Sequence, residues 1–245
     1  MKVVILGGTK GMGRAVARAL AERGEALCLL GRDAEDLKKS VADLQVRGPK
    51  AKVSFALCDL EKPETFDSAL SEADEALGGF DAVIVTAGIF GTQEQLENDE
   101  VLLARVLQAN FSGTVLFCEK ARKKLLARGG GTLCVFSSVA GDRARKPVVL
   151  YGATKAGLSA YLEGLDHKYR AAGLKTVCVK PGFVKTGMTA GLTPPPFAGK
   201  PEAVAKIVVR AIDAGKPVVY APGIWWLVMR VIRSLPRFVM RKIKF

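Results

Sequence analysis

Tyr151 and Lys155 stand four residues apart in Tyr151-Gly152-Ala153-Thr154-Lys155, a spacing that puts a phenol and an ammonium on one face of a helix. A free phenol titrates at about 10, too high for ready proton exchange near neutrality. An adjacent ammonium favours the phenolate and lowers that value, which suits general acid/base work. A second set of residues, Gly7-Gly8-Thr9-Lys10-Gly11-Met12-Gly13, lies between an apolar run and the helical pattern Arg14-Ala15-Val16-Ala17. Glycines at 7, 11 and 13 permit a tight turn, close backbone approach to a pyrophosphate and close helix–strand packing. The helix behind them offers free N–H groups and the positive end of its dipole. Taken singly, each pattern has a bland reading: a chance Tyr-x-x-x-Lys on an amphipathic helix, or a glycine-rich turn that holds nothing.

Such residues act together only if a scaffold brings them together. Short apolar, β-branched runs at residues 3–6, 26–30, 52–57, 82–86, 132–136, 176–180 and 217–220 predict seven strands. Helical patterns lie between them, for example Leu37, Val41 and Leu44, and later Leu103, Val106 and Leu107. Strand–helix alternation implies crossover connections, hence a parallel sheet with helices on both faces in one α/β domain. Nothing resembles an interdomain linker. Pro194, Pro195 and Pro196 fall in a loop of about a dozen residues after the sixth strand, a length typical of lids.

The glycine spacing is Gly-x-x-x-Gly-x-Gly, not Gly-x-Gly-x-x-Gly. With Tyr151 and Lys155, with Ser138 thirteen positions before Tyr151, and with Asn110 in Gln108-Ala109-Asn110-Phe111-Ser112-Gly113, the chain resembles the short-chain dehydrogenase/reductase family from residue 2 to about residue 190. The individual matches are common, but their order and spacing together are specific. The resemblance implies a doubly wound, Rossmann-type, seven-stranded parallel sheet over residues 1–220, and hydride exchange between a nicotinamide dinucleotide and a carbonyl. It implies that Tyr151 gives the proton, that Ser138 holds the substrate oxygen, that Lys155 also holds the nicotinamide ribose, and that Asn110 holds a water joining Lys155 to solvent.

Residue by residue, it places the dinucleotide along Gly7, Thr9, Lys10, Gly11, Met12 and Gly13, then at Arg32 and at Asp59 with Leu60. It continues through Ala87 and Gly88 to Tyr151 and Lys155, and ends at Pro181, Gly182, Val184 and Thr186. The end of the second strand reads Leu29-Leu30-Gly31-Arg32-Asp33, with Gly31 where NAD-using relatives carry a carboxylate. Arg32 and Lys10 are then a pair of cations for a 2′-phosphate, so NADP(H) is the expected cofactor. Asp33 is read as the N-cap of an acidic first turn, and Asp59 has a competing reading as the cap of the Pro63 helix. Thr86 departs from the family's Asn-Ala-Gly, and its hydroxyl can make fewer bonds than an amide.

The chain is 49% hydrophobic and 25% charged, as a globular domain should be. Five scattered cysteines without paired spacing argue against disulfides and structural zinc, and no metal is expected. The opening Met1-Lys2-Val3-Val4-Ile5-Leu6 is too short for a signal peptide and is read as the first strand of a cytoplasmic protein. His167, the only histidine, sits in a polar helical stretch and is read as a surface residue.

Net charge is +13, and residues 214–245 hold Lys216, Arg230, Arg233, Arg237, Arg241, Lys242 and Lys244 without one acid. Such asymmetry points to an anionic surface. Over residues 224–241, part of a C-terminal extension at 221–245, Arg230, Arg233, Ser234, Arg237 and Arg241 share one helical face and the rest is apolar. The stretch cannot span a bilayer: internal arginines cost about 2.5–3.5 kcal/mol each, and Pro236 breaks the ladder. It fits a helix lying in the interface of an anionic membrane, with the protein peripheral on that membrane's inner face. The other readings are a cover for the substrate pocket or a contact with a second subunit.

Family members that reduce lipid ketones carry similar extensions, so the resemblance implies a 3-keto lipid such as a 3-ketosphinganine or a long-chain 3-oxoacyl compound. It also implies homodimers or homotetramers built on the helices around Asn110 and Tyr151. A soluble reductase of small ketones and a non-catalytic NADP-sensing protein are the competing readings, the latter opposed by four intact catalytic positions. No nucleic-acid partner is expected, because the tail's aromatic residues cluster instead of interleaving.

Overall fold

Strand β1 (Lys2–Leu6) is buried at every position from Val3 onward, on both of its faces. A strand without a polar face belongs inside a parallel sheet covered on two sides. In the computed structural model, which describes residues 1–243, β1 lies between β2 (Ala26–Gly31) and β4 (Ala82–Val85). With β3 (Val53–Leu57), β5 (Gly131–Phe136), β6 (Leu174–Pro181) and β7 (Val218–Ala221) the order is β3-β2-β1-β4-β5-β6-β7, every pair parallel. All seven predicted strands are present, with ends moved by one or two residues. The fourth stops at Val85 because Thr86 already turns toward β1.

Alternate residues of each strand serve different layers. Val3, Ile5, Leu27 and Leu29 pack against α1 (Gly11–Glu22), α2 (Ala34–Arg47) and, farther along the sheet, α8 (Pro201–Ala214). Val4, Leu6, Cys28 and Leu30 face α3 (Phe66–Leu77), α6 (Gly113–Ala127) and α7 (Val149–Tyr169). Two short helices complete this second layer: α4 (Gln93–Asn98), closed by a Thr92/Gln95 capping box, and α5 (Glu100–Leu107).

A π turn at Gln108–Ser112 joins α5 to α6, making one continuous apolar helix from Glu100 to Ala127. Its length and composition would let it cross a membrane, but Val106, Ala109, Phe117, Cys118, Ala121 and Leu125 are buried. Asp33 caps α2 by accepting from the Asp36 N–H at 2.9 Å, as its acidic first turn suggests. All five cysteines are buried and free, and burial pushes each thiol up.

The tail forms two helices, α9 (Ile224–Ser234) and α10 (Arg237–Lys242), separated at Leu235-Pro236. Lys244, counted above among the basic residues, lies outside the described residues.

Candidate active site

Strand order reverses between β1 and β4, and a cavity of about 380 Å³ opens there at the carboxyl ends of the strands. Its shape comes from the glycines. Gly7 has φ +93, and a Cβ on Gly13 would fall 2.2 Å from the Gly7 carbonyl oxygen and 2.3 Å from Thr86 Oγ1. Helix α1 can therefore approach β1 and β4 only without side chains at those points. The N-cap of α1, Lys10, supplies no side-chain cap, and the first turn holds no acid. Its N–H groups are thus available to an anion, and the cradle fits a dinucleotide pyrophosphate.

Gly7, Thr9, Lys10, Gly11, Met12 and Gly13 all line this cavity, with Arg32, Asp59, Leu60, Ala87, Gly88 and Thr186. Thr86 donates to the Gly7 carbonyl at 2.9 Å, so a hydroxyl ties β4 to the glycine loop in place of the family's amide. Asp59 does not cap the turn at Pro63–Thr65; it accepts from the Glu61 N–H at 3.0 Å and shapes the loop beneath the cavity.

The two cations expected at a 2′-phosphate are present, each beside a carboxylate. Lys10 Nζ lies 2.6 Å from Asp36, and Arg32 lies 3.1 Å from Glu61, which Arg105 also holds at 2.7 Å. The hydrogen bonds from Lys10 and Arg105 hold the Asp36 and Glu61 carboxyls below their ordinary values. Both cations are largely exposed, and such pairs exchange partners at little cost. Glu61 escaped the sequence analysis because its role depends on where Arg105 lies in space.

Three elements carry the four catalytic candidates. Ser138 follows β5, where its Oγ accepts from the Ala140 N–H at 3.1 Å and starts a tight turn at Val139–Gly141. That turn presses on α7: a Cβ on Gly141 would come within 2.5 Å of the Lys155 backbone. Ser137 Oγ donates to the Lys155 carbonyl at 2.9 Å and fixes the same helix. Tyr151, near the start of α7, meets Phe90 edge to face with ring centroids 5.2 Å apart. Lys155 Nζ donates to the Phe136 carbonyl at 3.1 Å and lies 5.7 Å from the Tyr151 ring centre.

Asn110 sits in the π turn, fully buried, with its amide spent on Ile89: Oδ1 accepts from the N–H and Nδ2 donates to the C=O, both at 2.7 Å. Its side chain thus pins the segment that follows Gly88, with one N–H and one lone pair of the amide still unspent. Gly88 lines the cavity, and a Cβ on it would fall 3.0 Å from Asn110 Oδ1 and 3.8 Å from Lys155 Nζ. One glycine therefore separates the cavity from Lys155.

The lowered phenol expected from the Tyr–Lys spacing is not what the geometry gives. Burial pushes Tyr151 up to about 12, partly opposed by its hydrogen bond with Ser138, and burial brings Lys155 down to about 8. The ammonium is directed at a carbonyl and not at the phenol oxygen, so desolvation dominates both groups. Tyr151 is accordingly protonated at neutral pH.

Pro181, Gly182 and Val184 lie away from the cavity wall. Pro181 ends β6, Gly182 donates to the Ala221 carbonyl at 3.1 Å, and Val184 bridges to Gly199. The Trp225 indole lies on Gly182, where a Cβ would meet Nε1 at 2.0 Å. That Nε1 is buried, with no acceptor among the described residues. Met229 and Ile232 pack with Trp225 on Val139, beside Ser138. Arg143 donates to the Leu235 carbonyl at 2.8 Å, while buried Asp142 accepts from Lys180 at 2.6 Å and from the Tyr220 hydroxyl at 2.7 Å. One apolar face of the tail thus covers the loop that carries Ser138.

The short chain dehydrogenase family model matches residues 1–196. An uncharacterized oxidoreductase of Mycobacterium tuberculosis is 32% identical over 98% of this chain and 96% of its own length. Another, from Streptomyces coelicolor, is 36% identical over 98% and 95%. Carbonyl reductase family member 4 of Xenopus tropicalis is 28% identical over 86% and 90%. Among solved structures, levodione reductase superposes with a TM-score of 0.81 at 26% identity, covering 90% of this chain and 95% of that one.

Proposed function

The chain belongs to the short-chain dehydrogenase/reductase family and is an oxidoreductase of that type, and on this premise we propose that it reduces a ketone with NADPH. The observation that carries the reading is the contact through Gly88, which sets Lys155, and through it Tyr151 and Ser138, against the wall of a cavity built for a dinucleotide. The dinucleotide, when bound, supplies a hydride from its nicotinamide C4 to the carbonyl carbon.

Ser138 Oγ donates to the substrate oxygen and orients it. Tyr151, protonated at neutral pH, gives that oxygen its proton as the alcohol forms. Lys155, at about 8, returns a proton to the phenolate and regains one from solvent. Asn110 keeps Ile89 and Gly88 in place between cavity and lysine. Arg32 and Lys10 turn from Glu61 and Asp36 to the 2′-phosphate, which is the support for NADPH over NADH.

The substrate is a ketone on a long apolar chain, with 3-oxo lipids the leading class. Met188, Leu192 and Phe197, exposed on the segment after β6, offer it an apolar approach. Tyr151→Phe removes the proton donor and leaves the cavity untouched. Turnover should fall by about 10²–10⁴-fold while NADPH binding, followed by dinucleotide fluorescence, stays the same; a variant that keeps its rate overturns the assignment. NADPH oxidation against ketones of graded chain length tests the substrate class. Val101, Leu107, Phe111 and Leu116 are exposed along α5, the π turn and α6, which supports a homodimer on these helices, measurable by light scattering.

A further inference from the structure

Helix α9 has three faces, and only one packs on the apolar core of the fold. Trp225, Met229 and Ile232 are turned into the protein, packed with Val139. Ile224, Leu227 and Val231 fall within about 60° of one another on a second face and remain 41%, 52% and 56% exposed. Trp226, Arg230 and Arg233 lie on the third, with the Arg230 guanidinium 5.5 Å from the Trp226 ring centre. Beyond Pro236, Phe238 is 64% exposed beside Arg237, Arg241 and Lys242.

The exposed apolar stripe is thus bordered by cations, and no acid lies anywhere in α9 or α10. A protein partner of matching chemistry would need an acidic rim around an apolar groove, whereas an anionic bilayer presents both at once over any length of helix.

We propose that α9 and α10 dock this protein on an anionic lipid bilayer, with Ile224, Leu227, Val231 and Phe238 entering the acyl boundary and Arg230, Arg237, Arg241 and Lys242 at the headgroups. The internal face stays on Val139, so the helix needs no unfolding to bind. The segment after β6 is attached at the same end: Gly199 packs on Pro222, just before α9. Docking therefore holds the Gly199 end of that segment close to the membrane-bound helix. Docking on the bilayer does not depend on ketone reduction.

The test is co-sedimentation of the full chain with phosphatidylcholine vesicles, with and without phosphatidylglycerol. Binding should require the anionic lipid and weaken as salt is raised. Arg230→Gln with Arg237→Gln, both exposed, should weaken it roughly thirtyfold. Leu227→Glu with Val231→Glu should abolish it at every salt concentration. Turnover of a water-soluble ketone should be unchanged in all of these, which separates a docking failure from a failed enzyme. The proposal is overturned if the wild-type chain stays in the supernatant at low salt. It is equally overturned if neutral vesicles bind as well as anionic ones, or if the glutamates dissociate an oligomer while vesicle binding persists.

Discussion

Arg32→Ala tests the cofactor assignment most directly, because Arg32 is well placed to serve one cofactor and not the other. NADPH differs from NADH at its 2′-phosphate, and in the proposed reading Arg32 leaves an exposed pair with Glu61 to meet it. A charge-assisted hydrogen bond contributes about 1.5–3 kcal/mol, so kcat/KM for NADPH should fall about 10- to 150-fold. NADH offers no phosphate at that position, and its kcat/KM should change less than about twofold by the same argument. Glu61 sharpens the test. With Arg32 gone, its carboxylate remains near the phosphate, held by Arg105 at 2.7 Å. Adding Glu61→Gln to Arg32→Ala should therefore restore part of the lost NADPH rate. Glu61→Gln alone should tighten NADPH by no more than about 1 kcal/mol, the worth of an exposed pair. Initial rates with both cofactors and one ketone, with fluorescence titration for the dissociation constants, give every number needed. Equal losses on NADPH and NADH would refute the reasoning.

Lys155 is buried at about 8 against an ordinary 10.5, so between those values the unfolded chain binds more protons than the folded one. Its cost to stability is full below about 8 and fades as pH rises to 10.5. Lys155→Met should be inactive yet more stable than wild type in urea at pH 7, with the gap closing toward pH 10.5. A gap independent of pH would count against a desolvated lysine. Trp225→Phe removes a buried donor that has no acceptor among the described residues, worth about 1–3 kcal/mol, so its unfolding midpoint should match or exceed wild type, whereas Trp225→Ala should lose about 3 kcal/mol. If phenylalanine costs as much as alanine, the indole N–H has a partner after all.

The strands were legible because runs such as Val3-Val4-Ile5-Leu6 are apolar at every position, which leaves few alternatives to a buried parallel strand. The glycine loop was legible because its conformational demands are local: φ at Gly7 and the absence of a Cβ at Gly13 are properties of single residues. Spacing correctly placed Tyr151 and Lys155 on one helix, but it could not say what lay around them. Their titration follows from Phe136, Ser138 and the depth of burial, all set by distant segments. Glu61 and Trp225 escaped for the same reason: their partners, Arg105 and Gly182, stand more than forty residues away in each case. The reading of the tail as one apolar face opposite one basic face was too simple. Its apolar part divides between a side that touches Val139 and a side that does not.

The π turn at Gln108–Ser112 holds more than Asn110 in place. A wide turn contains one residue beyond regular winding, so it resets the phase of everything after it. Winding the same residues as a regular α-helix would rotate Phe117, Cys118, Ala121 and Leu125 by about 100° off the sheet. The irregularity that aims one amide at Ile89 is thus also the splice that seats fifteen downstream residues. Rewinding the turn would lose both at once.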